Sequence, residues 1–205
     1  MNPDLPFSPA ADRNRGPIGD MLQQWLPRGA AVLELASGTG QHAAHLAAVR
    51  PDWTWQPTEA EAAALPALAL RCAGLANVAV PQHLDVLNGP WPTRPGGWDA
   101  VFCANLVHIA PWAVTPALMR GAASVLAPQG QLVMYGPYIV DGEPLAPGNQ
   151  AFDADLRQRH PAWGLRRLAA VDEVAAAAGL QRVGRADMPA NNLMLRWRFA
   201  KSVTT

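Results

Sequence analysis

Residues Ala30 to Ala48 constrain the fold more than any other stretch. An apolar run ends in Glu34, a turn holds Gly38 and Gly40, and a segment of small residues with helical character follows. Short strand, glycine turn and helix make the opening unit of a nucleotide-binding α/β domain. The glycines have a physical job there. A loop that lets a ligand touch its backbone cannot carry Cβ atoms, and the free N–H groups of the next helix point into the same space. Two ligand classes remain open at this point. Gly38, Gly40 and Ala43 fit the dinucleotide pattern G-x-G-x-x-G/A, in which the strand runs apolar into its first glycine. Here an acid, Glu34, stands at the strand end instead, and Ala36, Gly38 and Gly40 follow at alternate positions.

That spacing resembles the acid-x-Gly-x-Gly-x-Gly signature of the S-adenosylmethionine (SAM) methyltransferases, with Ala36 in the place of the first glycine. SAM carries an ammonium and a sulfonium but no phosphate, so an acid near its methionine end suits it. The resemblance implies that Glu34 accepts from the ammonium, directly or through water, and that Ala36, Ser37, Gly38, Gly40, Gln41 and His42 form the cofactor loop. An alanine at position 36 must take up an L-residue conformation, which is expected to change how closely the amino-acid end of SAM approaches.

The 205 residues fit one domain, 1–205, with length to spare for an active-site cover. With 16 basic and 16 acidic residues there is no overall field to attract nucleic acid or an anionic membrane, so a small-molecule substrate is expected. Cys72 and Cys103 lie in segments that read as buried, which makes them core residues rather than a disulfide or metal pair; no metal site is expected. Asp4 and prolines stand where a signal peptide needs a basic start and an apolar run, and no stretch approaches the roughly 20 apolar residues of a membrane span. These features predict a cytoplasmic protein.

Along the chain, residues 1–17 read as a polar leader in which Asp12, Arg13, Asn14 and Arg15 cluster. Ile18, Met21, Leu22, Trp25 and Leu26 then fall on one face of a helix that Pro27 and Gly29 stop. Trp53 to Gln56 reads as a second strand, and Glu59 follows the glycine turn by about 20 residues, the usual distance of a carboxylate that accepts from ribose hydroxyls. Glu61 competes for that role; Glu59 is preferred because it lies closer to the strand end. A helix over 61–73 and a strand over Val78 to Leu84 precede Asp85 and Val86. The methyltransferase resemblance makes Asp85 the acceptor for the adenine amino group, whereas turn chemistry with Asn88 and Gly89 is the alternative.

Trp98 to Ala104 is a nearly continuous apolar run, as in a central parallel strand covered on both faces. Asn105 and His108 follow at its carboxyl end, where open α/β sheets bind ligands. A helix over 116–126 and a strand over 131–135 lead to Tyr138 and to a long stretch, 139–167, rich in turn residues and then polar-helical from Ala151 to Arg159. Loops of this length inside a domain are usually lids or binding loops. With Asn149, Phe152, His160 and Trp163, this one suits a substrate cover. A helix over 171–178 and two strands, 181–188 and 193–199, joined as a hairpin, complete the chain.

The phrases Ser-Pro-Ala-Ala-Asp-Arg-Asn-Arg, Glu-Leu-Ala-Ser-Gly-Thr-Gly-Gln-His and Asp-Met-Pro-Ala-Asn-Asn-Leu resemble a methyltransferase-like family of unknown function found in bacteria and animals. That resemblance covers nearly the whole chain. It implies a doubly wound, seven-stranded, mostly parallel Rossmann-like sheet closed by a C-terminal antiparallel hairpin, with SAM as cofactor and methyl transfer to a small-molecule acceptor. His108, Tyr138 and His160 are the candidate bases. The leader and the 139–167 stretch are expected to form a lid, with Arg13 or Arg15 facing the cofactor carboxylate or an acidic acceptor, and Asn149, Phe152 and Trp163 walling the substrate pocket. A SAM-binding sensor without catalysis and an NAD(P)-dependent oxidoreductase are the alternatives.

Overall fold

The computed structural model describes residues 5–200; the first four residues of the leader and the last five of the chain lie outside it. The strands are β1 (Ala31–Leu35), β2 (Thr54–Glu59), β3 (Gln82–His83), β4 (Trp98–Ala104), β5 (Leu126–Gly136), β6 (Tyr138–Ile139), β7 (Arg166–Arg167), β8 (Leu180–Met188) and β9 (Asn192–Phe199). Seven of them form one sheet in the order β3-β2-β1-β4-β5-β9-β8. All neighbours are parallel except β5 with β9 and β9 with β8. β1 is buried along its whole length because β2 and β4 flank it and helices cover both faces.

Alternation along the strands divides the core in two. Leu33, Leu35, Val101, Cys103, Met134 and Trp197 pack under α4 (Val114–Val125) and α6 (Leu168–Ala177). Val32, Ala100, Phe102 and Val133 pack on the other face, under α1 (Pro9–Trp25), α2 (Gln41–Val49) and α3 (Leu65–Cys72). Cys72 and Cys103 are buried free thiols on opposite faces, in accord with the core reading. None of the described helices is long and apolar enough to cross a membrane.

The structure corrects several boundaries. α1 begins at Pro9, so most of the polar leader is helix: the Ser8 hydroxyl accepts from the Ala11 N–H at 3.2 Å, and a proline fits the first helical turn. Pro17 lies inside this helix rather than before it. The third strand shrinks from 78–84 to Gln82–His83, with one isolated bridge from Val78 to Trp55, since Pro81 between them has no N–H to donate. β5 starts at Leu126, and its register against β4 shifts between Trp98 and Ala100. A Cβ on Gly130 would come within 2.4 Å of the Trp98 carbonyl, so only glycine allows that approach.

The 139–167 stretch has a helix of its own, α5 (Pro147–Arg159). Its ends are brought together by a ladder that the sequence does not reveal, in which β6 pairs in parallel with β7.

Candidate active site

Three alternate residues of the loop after β1 adopt left-handed backbone: Ala36 (φ 50), Gly38 (φ 52) and Gly40 (φ 74). Ala36 thus keeps the conformation a glycine would have, at a cost of about 1–2 kcal/mol for an L-residue. β2 holds the loop in place. The Ser37 N–H donates to the Thr58 carbonyl at 2.8 Å, Ser37 Oγ accepts from the Thr58 N–H at 3.2 Å, and the Thr58 hydroxyl donates to the Glu34 carbonyl at 2.7 Å. A Cβ on Gly38 would meet nothing nearer than 4.0 Å, so the space before this exposed residue is open.

The two acids beside the loop differ in environment. Glu34 is 2 % exposed, and its Oε2 accepts from the Trp55 indole at 2.8 Å. Burial pushes its carboxyl up to about 7, against the opposing hydrogen bonds from Trp55 and Ser37 and with a further push from Glu59. Glu59, at the end of β2, is half-buried; its Oε2 accepts from the Gly38 N–H at 2.7 Å, and its Oε1 accepts from the N–H groups of Ala60 and Glu61. Glu61 instead caps a short 3-10 turn, accepting from the Ala63 N–H at 3.3 Å. Asp85 accepts from the Leu87 N–H at 2.9 Å and from the Asn88 side-chain amide at 2.6 Å, the turn chemistry that was its alternative; Val86 packs on the core. Asn105 (φ 58) ends β4, its N–H donating to the Tyr135 carbonyl at 2.8 Å.

The side chains of Gln41 and His42 face α1. Gln41 Oε1 accepts from the Ser8 N–H at 2.6 Å, and its Nε2 donates to the Ser8 carbonyl at 3.2 Å. His42 Nε2 lies 2.7 Å from Asn14 Oδ1. Both side chains are buried and tie the start of α1 to the start of α2.

The three candidate bases do not converge. His108 is fully enclosed, its ring edge-on to Tyr138 at 5.9 Å, and among the described residues both ring nitrogens and the Tyr138 hydroxyl lack a hydrogen-bond partner. Burial lowers the His108 imidazole to about 3 and raises the Tyr138 phenol well above its ordinary value. His160 is exposed and stacks on Trp163 at 5.4 Å.

A cavity of about 680 Å³ lies over the carboxyl ends of β4 and β5. Arg13 and Asn14 of α1 line one side, Asn149 and Phe152 of α5 the other, and Asn105 and Tyr135 the floor. Trp163 and the three candidate bases are not among its walls. Arg15 is engaged with Asp12 at 2.9 Å. Asn14 and Tyr135 escaped the sequence reading; the signal for Asn14 was the helical spacing of Ala11, Asn14, Ile18 and Leu22, all buried in α1.

A family model described as "Protein of unknown function (DUF938)" matches residues 5–199. Among solved structures, the apo form of the S-adenosylmethionine-dependent methyltransferase SibL superposes with a TM-score of 0.77 at 19% identity, over 94% of this chain and 56% of that one. The pyocyanin biosynthetic protein PhzM gives 0.74 at 18%, over 89% of this chain and 54% of that one. An O-methyltransferase family 2 protein from Planctomyces limnophilus, in complex with apigenin, gives 0.72 at 17%, over 93% and 61%. The chain spans about half to three-fifths of the length of these neighbours. At such identities the likeness is one of fold, and the fold is that of the class I methyltransferases.

Proposed function

We propose, for a chain that belongs to the DUF938 family of proteins of unknown function, that it transfers a methyl group from SAM to a small molecule held in the cavity between α1 and α5. The observation that carries this reading is the charge around the glycine loop. Residues 36–42 themselves include no lysine or arginine, the Arg71 side chain that packs on Gly40 donates to the Pro6 carbonyl, and Glu34 and Glu59 stand close enough for one to raise the carboxyl of the other. Such a loop suits a ligand bearing an ammonium and a sulfonium and opposes a pyrophosphate.

Ser37, Gly38 and Gly40 would present backbone to the cofactor, Glu59 would accept from the ribose hydroxyls, and Asp85, Val86 and Asn105 would flank the base. Glu34, buried against the Trp55 indole, would stand behind the loop. SAM supplies an activated methyl on a cationic sulfur. The chain's own contribution is to hold the acceptor in line and to keep water out, since methyl transfer gains most from orientation. α1 and α5, as walls of the cavity, would exclude that water.

Thermal denaturation with SAM, S-adenosylhomocysteine, NAD and NADP tests the cofactor, because a ligand bound to the native state raises the melting temperature. The two sulfur compounds should stabilise, and stabilisation by NAD alone would overturn the reading. Turnover of methyl-labelled SAM with a metabolite extract then tests catalysis.

A further inference from the structure

We propose that the methyl acceptor is an oxyanion on an apolar body, a carboxylate or an acidic phenolate, methylated at that oxygen and bound through Arg13, with Arg159 as a second cation in the cavity wall. This rests on the methyl-transfer reading above. Among the described residues, Arg13 and Arg159 line the cavity, and no aspartate, glutamate, lysine, histidine or cysteine does. Arg13 forms no ion pair among the described residues; Arg159 has a 3.7 Å contact to Asp155 one turn back, and its guanidinium lies 5.4 Å over the Trp163 ring. Much of the remaining wall is apolar, including Ile109, Phe152 and Leu156, and the first two are among the large hydrophobic side chains left exposed.

That wall holds no general base. Tyr135 is its one other titratable side chain, and burial holds the phenol above its ordinary value, so at neutral pH it is a hydrogen-bond donor. The histidines are elsewhere: His108 is enclosed, His160 stacks outside, and His42 is spent on Asn14. An acceptor that must lose a proton during transfer therefore finds nothing to take it. An amine, protonated at neutral pH, would also be repelled by two arginines. An oxyanion meets neither obstacle. One of its lone pairs forms the new O–C bond while the C–S bond breaks with its electron pair retained on sulfur, and the negative and positive charges cancel without any proton moving. Arginine is suited to hold such a group because its planar donors match a carboxylate.

Three probes of one shape test this by calorimetry on the complex with S-adenosylhomocysteine: 2-naphthoate, 2-naphthamide and 2-naphthylmethylamine. The carboxylate should bind about ten-fold or more tighter than the amide, as a charge-assisted hydrogen bond implies, and the amine most weakly. Arg13→Gln should remove the carboxylate's advantage while leaving the amide and S-adenosylhomocysteine affinities unchanged, and Arg159→Gln should reduce that advantage in part. Acceptor activity in a metabolite extract should be retained by an anion-exchange resin. Equal binding of the three probes, acceptor activity in the flow-through, or weakened S-adenosylhomocysteine binding by Arg13→Gln would overturn the proposal. Failure of S-adenosylhomocysteine to bind the unmodified protein would overturn the methyl-transfer reading instead.

Discussion

The carboxyl group of Glu34 takes the indole N–H of Trp55 at 2.8 Å, on the face of the sheet where Trp53 and Trp55 stack. An acid held this way prefers to be neutral, since burial outweighs the hydrogen bonds that favour its charge. Its carboxyl lies near 7 in the folded protein against an ordinary 4.5, so between those values the folded state binds the proton more tightly than the unfolded chain does. The stability it contributes is fully present below pH 4.5 and is lost as pH rises through about 7. The full loss is about 3 kcal/mol. Glu34→Gln keeps an acceptor for Trp55 and removes the titration. Urea unfolding at pH 5 and pH 8 should show wild type weakening relative to the variant at the higher pH. A constant difference between the two proteins would show that Glu34 titrates normally.

Gly136 and His108 are linked by shape. A Cβ at position 136 would sit 2.4 Å from the enclosed imidazole, at a backbone φ of 155 that L-residues avoid. Gly136→Ala should cost about 3 kcal/mol or more, from overpacking added to backbone strain. In a His108→Ala background the same change should cost about 1–2 kcal/mol less, because the strain and a 3.2 Å approach to Asn105 Oδ1 remain while the ring is gone. Chemical denaturation of the four proteins gives the coupling, and strict additivity would show that the ring moves aside freely.

Glu59 and Glu61 separate cleanly in role. Glu59→Ala should weaken S-adenosylhomocysteine binding by about 1.5–3 kcal/mol, the range for hydrogen bonds to a charged group. Glu61→Ala should leave affinity unchanged and lower stability by about 1 kcal/mol or less, the loss of a cap. Isothermal calorimetry with the reverse ranking would move the ribose contact to Glu61.

The two walls of the cavity should differ in mobility before any ligand arrives. α1 buries Ile18 and Leu22 completely and is clamped by Gln41 and His42, whereas the buried residues of α5 are Asn149 and Leu156. Hydrogen exchange of the free protein should therefore be slower in the second half of α1 than in α5, and S-adenosylhomocysteine with 2-naphthoate should slow α5. Equal protection of both helices in the free protein would argue against α5 as the moving wall.

Much of the architecture was legible in the sequence because it depends on local signals. The apolar runs at 31–35 and 98–104 appear as β1 and β4, and the final two strands pair as the expected antiparallel hairpin. The glycine spacing marked the turn after β1, and Glu59, the nearer of the two acids to the end of β2, is the one that accepts from the Gly38 N–H. What sequence could not reach depends on which distant groups meet. The leader read as a polar segment, yet Ser8 and Asn14 find partners in Gln41 and His42, more than twenty residues away, and most of that segment is helix packed on α2. His108 stands at the right end of the right strand, and only the packing of Gly136 and Tyr138 around it decides that it is sealed from the cavity. The pattern of residues along the chain thus determined the sheet and the glycine turn after its first strand, because periodicity and turn chemistry act between near neighbours. Tertiary contact decided which polar side chains remained available to a ligand, because that depends on partners and burial far apart in the chain.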